Sequence, residues 1–262
     1  MKFNKSGIFL GCIFFVIFVF NQRNSLSVQP NFNGIKNTIT ADYKQFYLAN
    51  NLKNLAIGMG IAGVLANTVV DGKIQTWYQE STKNEDTDRI AKAVKPFGNG
   101  RITIPVFLGF ALIGELTKTT SIGSAAGEWG KRSLRAILVG IPPLLLLQNI
   151  LGASRPTESN SYWRPFNDDN AVSGHSFMGA VPFLSVAMMV NNVFLKYCFY
   201  FGSTLTGLSR INDNAHYFSQ TALGWWLSYL ATRVVDKVTR QNIAFMPVVI
   251  GGYVGVQGVV RF

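Results

Sequence analysis

At 262 residues the chain is long enough to bury one sizeable core. With 48% apolar and only 14% charged residues it is too apolar for an ordinary soluble domain and too polar for a chain made only of membrane spans. Lys and Arg outnumber Asp and Glu 24 to 13, and the net charge of +11 suits anionic lipid surfaces or phosphate-bearing substrates, whereas the scatter of the basic residues through several loops argues against nucleic acid.

Lys2 and Lys5 precede an apolar run from Gly7 to Phe20, polar Asn21 to Asn24 follow, and Ser25-Leu26-Ser27 closes the segment. That is the three-part form of an export signal, and the run falls short of the ~20 residues a bilayer span needs. Residues 1–27 are therefore expected to be a signal peptide cleaved after Ser27, with an uncleaved N-terminal anchor as the alternative. Residues 28–51 are polar and mixed and read as an N-terminal arm. Apolar stretches bounded by Gly, Pro and charged residues predict helices at 52–70, 102–117, 129–152, 175–192, 194–209 and 215–236, one bundle within a helical domain spanning 52–240. Asp71 to Arg101 is a charged insert, part helix and part loop, broken at Pro96 to Gly100. Lys131, Arg132 and Arg135 read as surface or interfacial charges. Residues 241–262 carry Val-rich runs on both sides of Gly251-Gly252 and predict a β-hairpin, two strands being too few for a membrane barrel. The expected class is all-α with a short C-terminal hairpin. Cys12 and Cys198 lie in apolar segments and read as small hydrophobes.

Three stretches concentrate polar groups between apolar helices: Gly152-Ala153-Ser154-Arg155-Pro156, Val172-Ser173-Gly174-His175, and Ser209-Arg210 followed by His216. Both histidines of the chain fall in them, each at an expected helix start. Two arginines offer planar forks for an oxyanion, and Ser173-Gly174 before a helix start adds a hydroxyl and free backbone N–H groups where the helix dipole favours an anion. With phosphate so held, one histidine can attack phosphorus while the other protonates the leaving oxygen. No metal is needed, and two histidines without a dense carboxylate group offer no metal site.

These stretches resemble the signature of the type 2 phosphatidic acid phosphatase and vanadium haloperoxidase superfamily, K-x6-R-P, P-S-G-H and S-R-x5-H-x3-D. Here they stand as Gln148-x6-Arg155-Pro156, Val172-Ser173-Gly174-His175 and Ser209-Arg210-x5-His216-x3-Gln220. The resemblance implies a six-helix bundle of the acid phosphatase/haloperoxidase type over about 52–236. It implies His216 as nucleophile and His175 as general acid, Arg155 and Arg210 as phosphate clamps, and Ser173 and the Gly174 N–H as assistants. Three positions depart from the pattern. Val172 for proline alters only the entry into the helix. Gln148 for lysine removes a positive charge from the phosphate site and keeps a hydrogen-bond donor. Gln220 for aspartate can orient the His216 ring but cannot compensate its charge. In a Ser-His-Asp hydrolase the corresponding change lowers turnover by about 10⁴. Asp213, inside the third stretch, and Asp168 or Asp169 are the candidates for the missing charge.

The expected activity is metal-independent hydrolysis of a phosphomonoester or diphosphate, of a lipid first, through a phosphohistidine. One alternative is a catalytically weak phospholipid-binding or structural envelope protein. The other is haloperoxidase chemistry, with vanadate in the phosphate cradle as the one cofactor considered. The partners expected are the phosphoester substrate and a membrane surface, with the chain exported to the periplasm or cell envelope. An integral membrane protein with several spans is the alternative location.

Overall fold

The computed structural model describes residues 32–117, 119–241, 243–250 and 253–260, so the expected signal peptide lies outside the described residues. The stretch expected as a polar arm is largely helical: α1 runs Phe32–Phe46 and α2 Ala49–Ala66. The charged insert is nearly all helix as well. It comprises α3 (Val69–Trp77), a π-helical extension (Tyr78–Thr82), α4 (Glu85–Val94) and a 3-10 turn (Lys95–Gly98). What reads as loop from charge alone is stabilised locally. The Asn84 side chain accepts from the backbone N–H of Asp86 and Thr87, the Thr87 hydroxyl oxygen in turn accepts from Asn84 N–H, and three acids occupy the first turn, where the helix dipole favours them.

Then follow α5 (Gly100–Leu116), α6 (Ser121–Leu151), α7 (Gly174–Met189), α8 (Val193–Asn212) and α9 (Phe218–Gln241), nine α-helices among the described residues where six were expected. Beyond α9 the backbone of Ile243–Ile250 pairs antiparallel with Tyr253–Val260. The helix expected at 129–152 begins eight residues earlier, at Ser121, capped by Thr120 accepting from Gly123 N–H. Its opening turns are rich in Gly and Ala, which mask the apolar period but let the backbone approach α5. A Cβ on Gly114 would lie 2.2 Å from Cα of Gly127, and one on Gly127 would lie 2.6 Å from Cα of Gly114.

The core forms around α7, whose Phe177, Val181 and Val186 are fully buried in one cluster with Leu223, Leu227 and Leu230 of α9 and Val139 of α6. A helix apolar all round is one enclosed on every side, and each such side chain contributes about 1.5–3 kcal/mol on leaving water. Of the basic residues at the middle of α6, Lys131 is 43% exposed and pairs with Glu115, but Arg132 and Arg135 are not surface charges. Arg135 grips fully buried Asp42 of α1 through two 2.7 Å bonds, and buried Arg132 bonds Glu128 at 2.7 Å and Asp236 of α9 at 2.8 Å. Removing one partner of such a pair leaves an uncompensated buried charge, which is how these contacts fix α1 and α9 against α6.

Of the described helices, α6 is long and apolar enough to cross a membrane. Ala49–Ala66 with Val69–Thr82, bent by 73°, and Glu85–Gly98 with Gly100–Leu116, bent by 59°, would each count as a further span if each bent pair is one. The Gly114/Gly127 crossing is tight enough to test directly. Gly114→Ala is expected to lower stability by about 1–3 kcal/mol through forced separation of α5 and α6. A lower unfolding midpoint of the detergent-solubilised protein would register it, and an unchanged midpoint would contradict the crossing.

Candidate active site

The stretch 152–173 leaves α6 at Gly152, which adopts φ 54°, and a Cβ there would lie 2.0 Å from the carbonyl oxygen of Arg164. Only glycine fits so close a return of the chain. Arg155 follows, exposed at its head, with Nε donating to Asn170 Oδ1 at 3.0 Å. Ser173 caps α7 by accepting from Ser176 N–H at 3.3 Å, so the N-terminal turn carrying Gly174 and His175 faces the same region. Arg210 occupies the last turn of α8, and its Nε is buried without a hydrogen-bond partner. His216 lies in the short connection to α9 and is buried.

One side chain ties these stretches together. Fully buried Gln220 donates from Nε2 to the Ser154 carbonyl at 2.8 Å, and its Oε1 accepts from Tyr217 N–H at 3.1 Å and meets His216 Nδ1 at 2.9 Å. Its backbone carbonyl accepts Ser173 N–H at 2.9 Å. Because Nε2 must be the atom facing the Ser154 carbonyl, Oε1 faces the ring, and His216 Nδ1 carries the proton. The lone pair is left on Nε2. Burial above all, then the charges of Arg210, Arg155 and His175, hold the His216 pKa down to about 4 against the opposing pull of the Gln220 bond. The ring is neutral at neutral pH, as a nucleophile requires.

His175 is half-buried, and its pKa is lowered by burial first and then by Arg210, Lys95 and Arg155, with Asp213 acting the other way. Arg155, His175, Arg210 and His216 thus share one electrostatic field. Gln148 gives one of its two Nε2 hydrogens to the Val172 carbonyl at 2.8 Å, which places the amide beside Gly174 with no formal charge to offer.

Residues 136–244 match the family model described as the PAP2 superfamily. The match takes in 109 of the chain's 262 residues, less than half of it. The matched segment holds all three motif stretches and starts within α6, so α1 to α5 lie outside it. No curated protein matches the chain. A crystal structure of the first transmembrane PAP2 type phosphatidylglycerolphosphate phosphatase, from Bacillus subtilis, is similar at 12% identity and a TM-score of 0.47, covering 80% of this chain and 96% of that one.

In this site Asp213 does not orient His216. Its carboxylate pairs with Lys95 and, at 3.2 Å, with Arg210. Asp168 accepts from Ser154 Oγ at 2.6 Å instead of reaching the ring. Sequence reasoning missed Asn170, gave Ser154 no role beyond its place in the first stretch, and read Asp71 only as the edge of the charged insert. Fully buried Asp71 of α3 accepts Ser219 N–H at 2.9 Å and also takes the Ser219 hydroxyl, anchoring the start of α9 three residues past His216. An acid set in the apolar run Val69-Val70-Asp71 was the available signal. Gln220→Ala strands three buried groups at once. It is expected to lower stability by about 2–4 kcal/mol and to release the His216 tautomer, seen as an imidazole ¹⁵N shift from a single Nδ1–H form to a mixture.

Proposed function

We propose that the chain is a phosphatase of the PAP2 type, hydrolysing a phosphomonoester or diphosphate of a lipid without a metal, through a phosphohistidine on His216. The observation that carries this reading is the neutral, Nδ1-protonated His216 beside two arginines. Nε2 attacks phosphorus, the phosphorus–oxygen ester bond breaks, and His175 gives its proton to the leaving oxygen. Water then attacks phosphorus while His175 takes the water's proton, the phosphorus–nitrogen bond breaks, and phosphate leaves with His216 neutral again. Arg155 and Arg210 hold the phosphoryl oxygens throughout, with Ser173 and the Gly174 N–H at the helix start. A lipid substrate is supported by apolar side chains left exposed on α5 and α8, among them Leu112 (65%), Leu116 (85%), Phe194 (74%) and Phe201 (67%), which suit a membrane surface. The segment 1–27, read as an export signal, puts the proposed site of action at the cell envelope.

A second reading rests on one observation. The hydrogen-bond partner of the His216 ring is an amide, with no carboxylate to offset an imidazolium, which favours a phospholipid-binding protein of weak or no turnover. Phosphate release from phosphatidic acid, polyprenyl diphosphate, lipid A and a soluble aryl phosphate, with chelator present, separates the two. Turnover by the wild type that His216→Ala reduces by at least about 10³ supports the phosphatase. No release by either protein, with lipid still bound, leaves the binder.

The pH dependence is a further check. His216 must be neutral and His175 protonated, so kcat/KM falls as pH drops through about 4 and falls again as pH rises through a His175 pKa held below 6.5. An acid-side optimum is expected, and an optimum well above neutrality would count against these two roles.

A further inference from the structure

The family pattern has a lysine where this chain has Gln148, whose amide gives one N–H to the Val172 carbonyl and carries no charge. Another lysine stands close by on a segment outside the family match. Lys95 opens the 3-10 turn Lys95–Gly98, and that turn abuts the start of α7: a Cβ on Gly98 would lie 2.8 Å from the His175 carbonyl oxygen and 3.0 Å from His175 Cβ. The Lys95 ammonium pairs with Asp213 Oδ2, and the same oxygen accepts from Arg210 Nη1 at 3.2 Å. One carboxylate oxygen therefore sits between two cations of the site, while Arg210 Nε stays buried and unpaired. Among the charges acting on His175, Lys95 ranks after Arg210 and ahead of Arg155. An ion pair whose lysine is 47% exposed adds little to folding, so the placement of Lys95 is better explained by what it does for the site.

We infer that Lys95 is a phosphate-binding residue supplying the cation that position 148 lacks, and that the Asp213 carboxylate is a resident counter-anion which the substrate's phosphate displaces from Lys95 and Arg210. This rests on the phosphatase reading of the same site. A phosphate dianion carries more charge than a carboxylate and offers more acceptor oxygens, so it competes well for a fork and an ammonium held at one point. Until it arrives, Asp213 spares the site two uncompensated cations, Lys95 and Arg210. Displaced, the carboxylate has a solvent path, since its side chain is already 27% exposed.

The test is calorimetric binding of inorganic phosphate to the full chain in detergent, with the unfolding midpoint recorded for each variant and KM for an aryl phosphate beside it. Lys95→Met is expected to weaken phosphate binding and raise KM about tenfold, the loss of one charge-assisted contact, with Lys95→Arg restoring most of it. Asp213→Asn is expected to move the other way and tighten phosphate a few-fold, because a competing anion has gone. A merely structural tie gives a different pattern, in which Lys95→Met and Asp213→Asn both lower the unfolding midpoint and both weaken binding. That pattern overturns the inference, as does an unchanged affinity in Lys95→Met. In either case, phosphate binding and turnover by the wild type leave the phosphatase reading standing. A wild type that neither binds phosphate nor releases it removes that reading, and the role of Lys95 with it.

Discussion

The Gln220 side chain makes one hydrogen bond to each of two motif stretches, and its own backbone carbonyl makes a bond to the third. Ser154 presents a buried carbonyl that needs a donor, while His216 Nδ1 and Tyr217 N–H need an acceptor. An amide satisfies both demands with one group, whereas an aspartate in its place offers acceptors only and would leave the Ser154 carbonyl unpaired. Glutamine is therefore a self-consistent choice here, and its cost appears elsewhere: without a carboxylate beside the ring, burial and the two arginines keep His216 neutral down to about 4.

The support for this joint comes from outside the family segment. Asp71 holds the first turn of α9, and Gln75 and Gln79 reach from α3 and its π-helical extension to the Ile211 carbonyl at 3.3 and 2.7 Å. Gln75 also donates to Asn214 Oδ1 at 2.6 Å, and Asn214 has a positive φ of 53°. Asn212 is held from two sides, by the Tyr78 hydroxyl at 3.3 Å and by its own bond to Asp88 at 2.7 Å. The connection that carries His216 would otherwise be a short exposed loop with a strained residue. Gln75 and Gln79 satisfy the carbonyls that lead into it and Asp88 of α4 holds the Asn212 side chain, so residues far upstream in the chain set where His216 points.

How much of this the sequence discloses depends on the range of the interaction. The apolar run of α7 is visible because burial on all sides demands apolar residues throughout, and that of α8 because its exposed face is apolar as well. The motif residues Arg155, Ser173, His175, Arg210 and His216 are visible because few residue types can do their chemistry. The start of α6 is hidden because Gly and Ala, chosen for the close approach of α5, carry no hydrophobic period. α1 is hidden because its decisive contact, Asp42 to Arg135, joins residues 93 positions apart and makes each look like a surface charge when read alone. Asp213 misleads for the same reason. Its place inside the third motif suggests His216, but the 3-10 turn brings Lys95 to it from 118 positions away.

Charge balance then connects the site's structure to its proposed chemistry. Attack by His216 turns a neutral ring into a phosphorylated imidazolium that faces Arg210 and Arg155 and has an amide, not a carboxylate, behind it. Nothing in the ring's own hydrogen bonding offsets the new positive charge, so the only compensation is the negative charge on the phosphoryl oxygens themselves. The intermediate is accordingly poorly stabilised relative to one backed by aspartate: harder to form, and quick to lose its phosphoryl group to water once formed. On the proposed mechanism the first chemical step is therefore the slow one, and whatever binds the phosphoryl oxygens more tightly in the transition state than in the ground state sets the rate.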